Sequence, residues 1–234
     1  MANVSHELRT PVTSIQGYAE TLLRSPKAAP ETRAQFLEVI HRQAQRIGGL
    51  VEQLLALSEL EARGRDDLAR EPVNALSVAR LVAETVARQA DGRKMTVDVE
   101  GVPGTLEVLA DPEGVLRALL NLVDNAVKYG KDGGAITVTA EATTLAGGQK
   151  GVAITVADDG EGIEAKHLPR LFERFYRVDA GRSRQDGGAG LGLAIVKHLV
   201  DSMDGSIEVE SEVGKGTRFV VTLPGVRPSA RAPG

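Results

Sequence analysis

The first helical pattern of the chain runs from Asn3 to Arg24 and reads NVSHELRTPVTSIQGYAETLLR. Apolar residues recur in it at alternating steps of four and three, the spacing of a seam between two packed helices. They are Leu8, Val12, Ile15, Ala19 and Leu22. His6 lies two positions before Leu8 and therefore off this seam. We expect its imidazole to face water, with the Glu7 carboxylate beside it and the Thr10 hydroxyl one turn further on. The alternative, a buried core histidine, would need a place on the apolar face.

A second helical run, from about Glu31 to Ala62, follows a turn marked by Pro26 and Pro30. It repeats the spacing of the first run. The repeating residues are Leu37, Ile40, Ala44, Ile47, Val51 and Leu54. The two runs predict an antiparallel helical hairpin, and one hairpin cannot bury both apolar stripes alone. We therefore expect two chains to form a four-helix bundle. The alternative is a helical pair packed on the globular domain of its own chain.

The composition excludes several classes of function. The net charge is −4, and no basic run is interleaved with aromatic residues, which argues against nucleic acid as a partner. Cysteine is absent, so disulfides and thiolate chemistry are excluded, and only four histidines are present, so a metal cluster is not expected. No stretch approaches the roughly 20 apolar residues of a membrane span. A helical pattern already under way at Val4 suggests that further chain precedes these residues.

A change of architecture follows the polar stretch 63–67. We predict a helical domain over residues 1–64, an α/β domain over residues 70–225 and a disordered tail over residues 226–234, which is rich in Pro, Arg and Ala. The α/β domain has helical patterns near 76–89, 113–129 and 191–203. It has strand patterns at 95–99, 106–109, 135–142, 152–157, 206–211 and 217–223. These strands are grouped too closely for a repeated βαβ order, and they predict a mixed α/β sandwich.

The helix after Pro112 carries a polar stripe beside an apolar one, and the apolar stripe consists of Leu116, Leu120, Val123 and Val127. Asn121, Asn125 and Lys128 step by four and three, so two amides and an amine share one face. Asparagine is a mediocre helix former, and amide oxygens can complete a magnesium shell while lysine meets phosphate. The pattern favours a ligand site, with an ordinary solvated polar face as the alternative.

Two glycine-rich stretches add to this site. The strand pattern at 152–157 ends in Asp158, followed by Gly160 and Gly162, where a fixed carboxylate could accept hydrogen bonds from an exocyclic amine. Taken alone, this stretch is also typical of an ordinary Asp-Gly turn. Residues 187–193, GGAGLGL, lead straight into a helix, where free amides and the helix dipole favour phosphate. This is not the P-loop pattern, which needs a Lys-Ser or Lys-Thr pair.

A mobile lid is predicted between these glycine stretches. Residues 171–177, LFERFYR, hold three of the seven Phe and Tyr residues, and we expect those rings to anchor the lid. Residues 179–187 are polar and rich in Gly, Arg and Ser, as expected for a loop that closes over a nucleotide.

Together these stretches resemble the dimerisation and catalytic portion of bacterial sensor histidine kinases, over nearly the whole sequence. The histidine box of that family is similar to residues 5–11, SHELRTP, and its asparagine box to residues 121–129, NLVDNAVKY. Its remaining boxes resemble 158–162 (DDGEG), 172–175 (FERF), 188–193 (GAGLGL) and 214–217 (GKGT). Residues 2–23 and 172–198 look similar to phosphate-regulon sensor kinases in particular.

The resemblance implies a Bergerat-type ATP-binding sandwich and a homodimer formed through the hairpin. It implies transfer of phosphate from ATP, with Mg²⁺, to His6 and then to an aspartate of a response regulator. His6, Glu7 and Thr10 would be catalytic, with Thr10 also serving a regulator phosphatase activity. The implied nucleotide-binding residues are Asn121, Asn125, Lys128, Tyr129, Asp158, Gly160, Gly162, Ile163, Phe172, Arg177, Gly188, Gly190, Leu191, Gly192, Leu193 and Thr217. Asn121 and Asn125 would be metal ligands, and the location would be the cytoplasmic portion of a membrane-bound sensor.

Two other classes compete with this interpretation. An ATPase of the same superfamily, of the chaperone, gyrase or mismatch-repair type, would use the nucleotide to close a clamp. Those ATPases carry Glu as the base for water where this chain has Asn121, which cannot take a proton. The other class is a non-catalytic dimeric scaffold with a vestigial nucleotide site, although the motifs here are intact.

Overall fold

A computed structural model describes residues 2–62, 69–101, 106–178 and 190–226 of the chain. Its first two helices are α1, Ala2–Arg24, and α2, Pro30–Ala62. The short turn between them makes the pair antiparallel, and the Tyr18 and Phe36 rings meet across it with centroids 5.2 Å apart. The predicted helical hairpin is confirmed, and α1 continues through Pro11.

The seam predicted on α2 is divided between two faces of the helix. Ile40, Ile47 and Leu54 are half-buried. Leu37 and Val51 are exposed at 56% and 41%, and Leu55, one turn after Val51, at 59%. The predicted steps combine two neighbouring stripes, because positions three and four apart both count as neighbours on a helix. A single hairpin covers only one of these stripes, and the second remains as an exposed apolar face.

The second unit alternates helices and strands. Its helices are α3, Ala75–Gly92; α4, Pro112–Tyr129; and α5, Gly192–Ser202. Its strands are β1, Glu71–Asn74; β2, Thr96–Gly101; β3, Glu107–Ala110; β4, Ala135–Thr144; β5, Lys150–Asp158; β6, Ser206–Glu212; and β7, Gly216–Pro224. All three of these helices and six of the seven strands were predicted. Strand β1 was not predicted; it has four residues, contains Pro72 and pairs antiparallel with β3.

Five strands form one mixed sheet in the order β2-β4-β5-β7-β6, in which only the β2–β4 pair is parallel. In β4, Ile136, Val138 and Ala140 are buried and alternate with half-buried threonines, so one face of the sheet is the core face. The apolar sides of α3, α4 and α5 pack against that face in one hydrophobic cluster. The fold is therefore a helical hairpin joined to an α/β sandwich, as predicted.

The C-terminal half of α2 packs on the sandwich. Leu50 and Leu57 belong to the same hydrophobic cluster as the sandwich core. His198 Nε2 in α5 lies 3.1 Å from the Leu60 carbonyl oxygen, and Arg174 forms an ion pair with Glu61. Within the described ranges, none of the helices combines the length and apolar character needed to cross a membrane.

The domain limits predicted at residues 64 and 70 stay a prediction. Residues 63–68 and 227–234 lie outside the described residues, and these include most of the predicted disordered tail. Val226, the first residue of that predicted tail, is described, and its amide donates to the Glu107 carbonyl at 3.1 Å.

Candidate nucleotide site

Helix α4 holds the first group of predicted site residues. It begins at a well-formed cap, because the Asp111 carboxylate accepts from the Gly114 amide at 3.1 Å and Pro112 occupies the first turn. Its apolar stripe is buried, with Leu119, Leu122, Val123 and Val127 at 1% exposure or less. Burial of this stripe fixes the rotation of α4 about its axis. Asn121, Asn125 and Lys128 are consequently half-buried at the edge of the core.

Asn121 is oriented by its own helix and by α5. Its Nδ2 donates to the Arg117 carbonyl at 2.9 Å, which leaves Oδ1 pointing towards Gly192. A Cβ added to Gly192 would lie 3.0 Å from that Oδ1 atom. Leu191 is fully buried just before the first turn of α5 and holds this helix start in place. The asparagine helix and the glycine-rich loop therefore meet, as the predicted site requires, with Leu193 half-buried in the same turn.

The C-terminal turn of α4 carries Lys128 and the exposed Tyr129. Lys128 Nζ lies 2.5 Å from the Asp124 carboxylate one turn earlier. Within the described part of the chain, the half-buried Asn125 side chain has no hydrogen-bond partner, so its amide is available for a ligand. The described residues contain no cluster of three or more His, Asp or Glu side chains that could hold a metal ion.

Asp158 ends β5 in a half-buried position. Its Oδ1 accepts from the Gly160 amide at 2.9 Å. Burial raises the pKa of the Asp158 carboxyl above its ordinary value, and hydrogen bonds from the Gly160 and Thr217 backbones oppose this shift only in part. A buried carboxylate of this kind gains from a ligand that donates to it, which an exocyclic amine can do.

Gly160 joins the Asp158 loop to the end of α4. A Cβ at Gly160 would lie 3.0 Å from the Gly130 Cα and 3.1 Å from the Tyr129 carbonyl oxygen. The glycine therefore permits a close approach of two backbones. The predicted site residues of α4 and those of the Asp158 loop are brought together at this point.

Ser211, which the sequence analysis missed, organises the far side of this loop. Its hydroxyl accepts from the Ile163 amide at 2.8 Å, donates to the Gly216 carbonyl at 2.8 Å and lies 3.0 Å from the Thr217 hydroxyl. The predicted residues Ile163 and Thr217 are thus tied together, next to Gly162. In the sequence, Ser211 is an ordinary polar position of an alternating strand, and no signal distinguishes it.

The aromatic segment 171–177 packs on the sandwich. Phe172 packs edge-on against Phe219 with ring centroids 6.4 Å apart. The Tyr176 hydroxyl lies 2.6 Å from His167 Nδ1, and the Arg170 guanidinium lies 4.3 Å from the Tyr176 ring centroid. These contacts hold the segment that precedes the predicted lid.

Gly190 lies three residues after the predicted lid 179–187. Its carbonyl accepts from the Phe175 amide at 2.8 Å, and its φ of +70° favours glycine. Arg177 is half-buried beside this junction. The predicted lid 179–187 and the predicted site residue Gly188 lie outside the described residues.

The predicted catalytic residues lie in α1. The backbone of His6 and Glu7 is helical, but their side chains are outside the described part of the structure. Thr10 is exposed on the following turn. The proposed roles of these three residues therefore rest on the sequence.

Two family models match the chain. The model described as histidine kinase-, DNA gyrase B- and HSP90-like ATPase matches residues 110–227, and that of the His kinase A (phospho-acceptor) domain matches residues 1–63. The phosphate regulon sensor protein PhoR of Pseudomonas aeruginosa is 40% identical over 220 residues, which are 94% of this chain and 48% of PhoR. The sensor-like histidine kinase SenX3 of Mycobacterium tuberculosis is 38% identical over 96% of this chain and 53% of SenX3. The chain spans about half the length of these curated relatives.

Solved structures show the same architecture. Full-length ShkA in complex with AMPPNP matches with a TM-score of 0.68 and 31% identity, over 98% of this chain and 46% of ShkA. Histidine kinase ThkA in complex with response regulator protein TrrA matches with a TM-score of 0.73 over 96% of this chain and 60% of ThkA. The identity to ThkA is 22%, so that likeness concerns the fold alone.

Proposed function

This chain belongs to the sensor histidine kinases, and we propose that it transfers the γ-phosphoryl group of ATP to His6 and from there to an aspartate of a response regulator. The observation that carries the proposal is the amide at position 121, beside the glycine-rich start of α5, in a chain that also matches a phospho-acceptor domain. Asn121 cannot take a proton from water, so ATP bound here is kept for a nucleophile other than water. This argues against the superfamily ATPases, which hydrolyse their nucleotide.

The proposed nucleotide site is supported by its chemistry. The Asp158 carboxylate would accept from the adenine amine, and the amides of Gly190 and Gly192, at the start of α5, would face the phosphates. Lys128 would add a positive charge to the same side. Phosphoryl transfer depends on positioning and charge neutralisation, which these groups supply without covalent help.

Mg²⁺ fits the donors at this site. Asn121 turns its Nδ2 to its own helix and leaves Oδ1 available, and Asn125 is the second amide on the same face. Two amide oxygens suit an ion that keeps several waters and is held mainly by the phosphates. When bound, Mg²⁺ would neutralise charge on the triphosphate.

His6 would act as the nucleophile. Its neutral imidazole attacks the γ-phosphorus in line, the bond to the β–γ bridging oxygen breaks, and ADP leaves. Glu7, the next residue, would accept the proton of the other ring nitrogen as positive charge develops.

We further propose that Thr10 orients water for dephosphorylation of the regulator. Thr10→Ala should then reduce regulator dephosphorylation and leave labelling of His6 intact, and an unchanged dephosphorylation rate would contradict this role.

A homodimer is the proposed assembly. Leu37, Val51 and Leu55 leave an apolar stripe of α2 uncovered in the single hairpin, and a second copy would bury it in a four-helix bundle.

A response regulator is the proposed partner, supported by the presence of TrrA in the structure of the similarly folded ThkA. ATP is supplied in the cytoplasm, so the proposed function places these residues there.

Labelling with γ-labelled ATP and Mg²⁺ tests this function. We expect acid-labile, base-stable label on the wild type and none on His6→Gln. His41→Gln is the matched control, because His41 is an exposed histidine on α2. ATP turnover without label would favour a superfamily ATPase, and nucleotide binding without label or turnover would favour a scaffold.

A further inference from the structure

We propose that Arg93 is a positioning residue of the nucleotide site, an inference that rests on the function proposed above. Arg93 lies at the end of α3, outside every motif of the sequence analysis. Its guanidinium holds the C-terminal turn of α4, the turn that carries Lys128 and Tyr129. Since its described contacts are with main-chain carbonyls and Asp132, Arg93 would act through the residues it holds.

The guanidinium of Arg93 contacts three carbonyl oxygens at the end of α4. Nη1 donates to the Lys128 carbonyl at 2.8 Å and also to that of Val127. Nη2 donates to the Gly130 carbonyl at 2.9 Å, and Nε donates to the Asp132 carboxylate at 2.8 Å. One side chain thus fixes the backbone on both sides of Tyr129.

These contacts satisfy groups that a helix cannot satisfy alone. The last carbonyls of a helix lack partners within the helix, and together they carry a partial negative charge. A guanidinium offers several donors in a rigid plane and a permanent positive charge, so it suits this position. Asp132 is 78% exposed, so its ion pair with Arg93 contributes little, and the carbonyl contacts are the ones that matter.

The held turn is joined directly to the proposed adenine pocket. The peptide between Tyr129 and Gly130 packs closely against Gly160, where a Cβ would lie 3.0 Å from the Gly130 Cα and 3.1 Å from the Tyr129 carbonyl oxygen. The Gly160 amide in turn donates to Asp158. If the end of α4 loosens, both the phosphate side of the site, at Lys128, and the loop of Asp158 lose their support.

The backbone of Arg93 is itself held, which orients the side chain. Its amide donates to the Ala90 carbonyl at 2.9 Å, and its carbonyl accepts from the Gly133 amide at 3.0 Å. The side chain is 31% exposed. The point from which the side chain extends is therefore fixed, and the guanidinium holds the turn before nucleotide arrives.

Arg70 is a matched control elsewhere in the fold. It donates to the Ser202 carbonyl at 2.9 Å and pairs with Asp204 at 2.5 Å, at the C-terminal end of α5. Its side chain is 25% exposed. The proposed phosphate site lies at the other end of this 11-residue helix, about 15 Å away. Arg70 therefore shares the type of contact with Arg93, but not its position.

The experiment compares Arg93→Ala with Arg70→Ala in the full chain. The affinity for a non-hydrolysable ATP analogue with Mg²⁺ is measured by calorimetry at a temperature where circular dichroism shows each variant folded. We expect Arg93→Ala to raise Kd about tenfold or more, and Arg70→Ala to change it less than about twofold, although both lower Tm. Arg93→Lys, which keeps the charge but not the planar fork, should recover part of the affinity. Should Arg93→Ala not fold, Arg93→Lys compared with Arg70→Lys gives the same test with smaller shifts.

Equal Kd values for the two alanine variants would overturn the inference and leave the proposed function intact. A wild type that binds the analogue but carries no label on His6 would overturn the proposed phosphotransfer and leave the role of Arg93 in nucleotide binding. If the wild type itself does not bind the analogue, both proposals fail.

Discussion

The Asn121 amide oxygen lies 3.0 Å from the position that a Cβ would take at Gly192. The two residues are 71 positions apart in the chain, in α4 and at the start of α5. Because Nδ2 of Asn121 is bound to the Arg117 carbonyl, the amide cannot rotate away without losing that hydrogen bond. Gly192 thus sets how closely the phosphate-facing helix start approaches the amide proposed to ligate magnesium.

Gly192→Ala should weaken nucleotide binding without destabilising the protein. The added methyl would displace Asn121 Oδ1 by a few tenths of an ångström, and alanine is a better helix former than glycine. We expect Kd for Mg²⁺-ATP analogue to rise roughly threefold to tenfold while Tm stays equal or rises slightly. Gly49→Ala is the control, because a Cβ at Gly49 in α2 would meet nothing within 4 Å. If Gly192→Ala bound the analogue with wild-type affinity, the close approach of Gly192 to Asn121 would have no role in nucleotide binding.

Asp158→Asn should stabilise the nucleotide-free protein at neutral pH and weaken nucleotide binding by about tenfold or more. Burial raises the pKa of Asp158 in the folded state, so between its ordinary value of 3.8 and that higher value the folded state binds more protons than the unfolded state. The free energy of unfolding contributed by Asp158 therefore falls as pH rises through this window. Asparagine carries no charge, so it avoids the free-energy cost of burying a carboxylate, and its amide oxygen can still accept a hydrogen bond from the Gly160 amide.

Chemical denaturation of the Asp158→Asn protein at several pH values measures this effect. The stability gain over wild type should be largest near neutral pH and shrink as the pH falls towards 3.8. Asp98→Asn, at an exposed position of β2, is the control and should show no such trend. If the stability gain of Asp158→Asn over wild type grew as the pH fell, the pKa of Asp158 would not be raised in the folded protein.

Gly216→Ala should be among the most destabilising single changes in the sandwich. Gly216 has a φ of +105°, and a Cβ there would lie 1.9 Å from the Asp158 carbonyl oxygen, a backbone atom that cannot move away cheaply. We expect a loss of about 4 kcal/mol or more in the free energy of unfolding. Gly214, in the same turn, has a φ of +83°, and a Cβ there would meet nothing within 4 Å, so Gly214→Ala should cost about 1–2 kcal/mol from backbone strain alone. Similar losses for the two variants would show that the close approach to Asp158 is unimportant.

Local patterns were sufficient to predict most of the fold, and they also placed the proposed site residues on its elements. In the predicted apolar stripe of α4, Val123 and Val127 are buried, and Leu116 and Leu120 are half-buried. The polar stripe beside it, with Asn121, Asn125 and Lys128, lies at the edge of the core. The strand that ends at Asp158 and the helix that follows the glycine-rich loop were likewise predicted from the spacing of their apolar residues. In each case the signal lies within one element, where periodicity reports burial.

What the sequence did not predict depends on contacts between distant elements. Arg93 donates to carbonyls 34 to 37 residues away, and main-chain acceptors have no signature in a sequence. Ser211, in β6, binds the Ile163 amide 48 residues earlier in the chain, and a main-chain donor likewise has no signature in a sequence. On α2, steps of three and four merged two stripes into one seam, because a helical pattern shows which residues are apolar but not which partner covers each face.

Leu55→Lys should convert a dimer into a monomer. Leu55 is 59% exposed in the single hairpin and lies on the uncovered stripe of α2, so in a four-helix bundle its side chain would be buried, and an unpaired lysine there is strongly disfavoured. Light scattering should give the mass of two chains for the wild type and of one chain for Leu55→Lys at micromolar concentration. Leu81→Lys is the control, because Leu81 is 49% exposed and belongs to α3 of the sandwich, and this variant should keep the mass of two chains. A wild type with the mass of one chain, or a Leu55→Lys variant that keeps the mass of two, would contradict burial of this stripe between two copies.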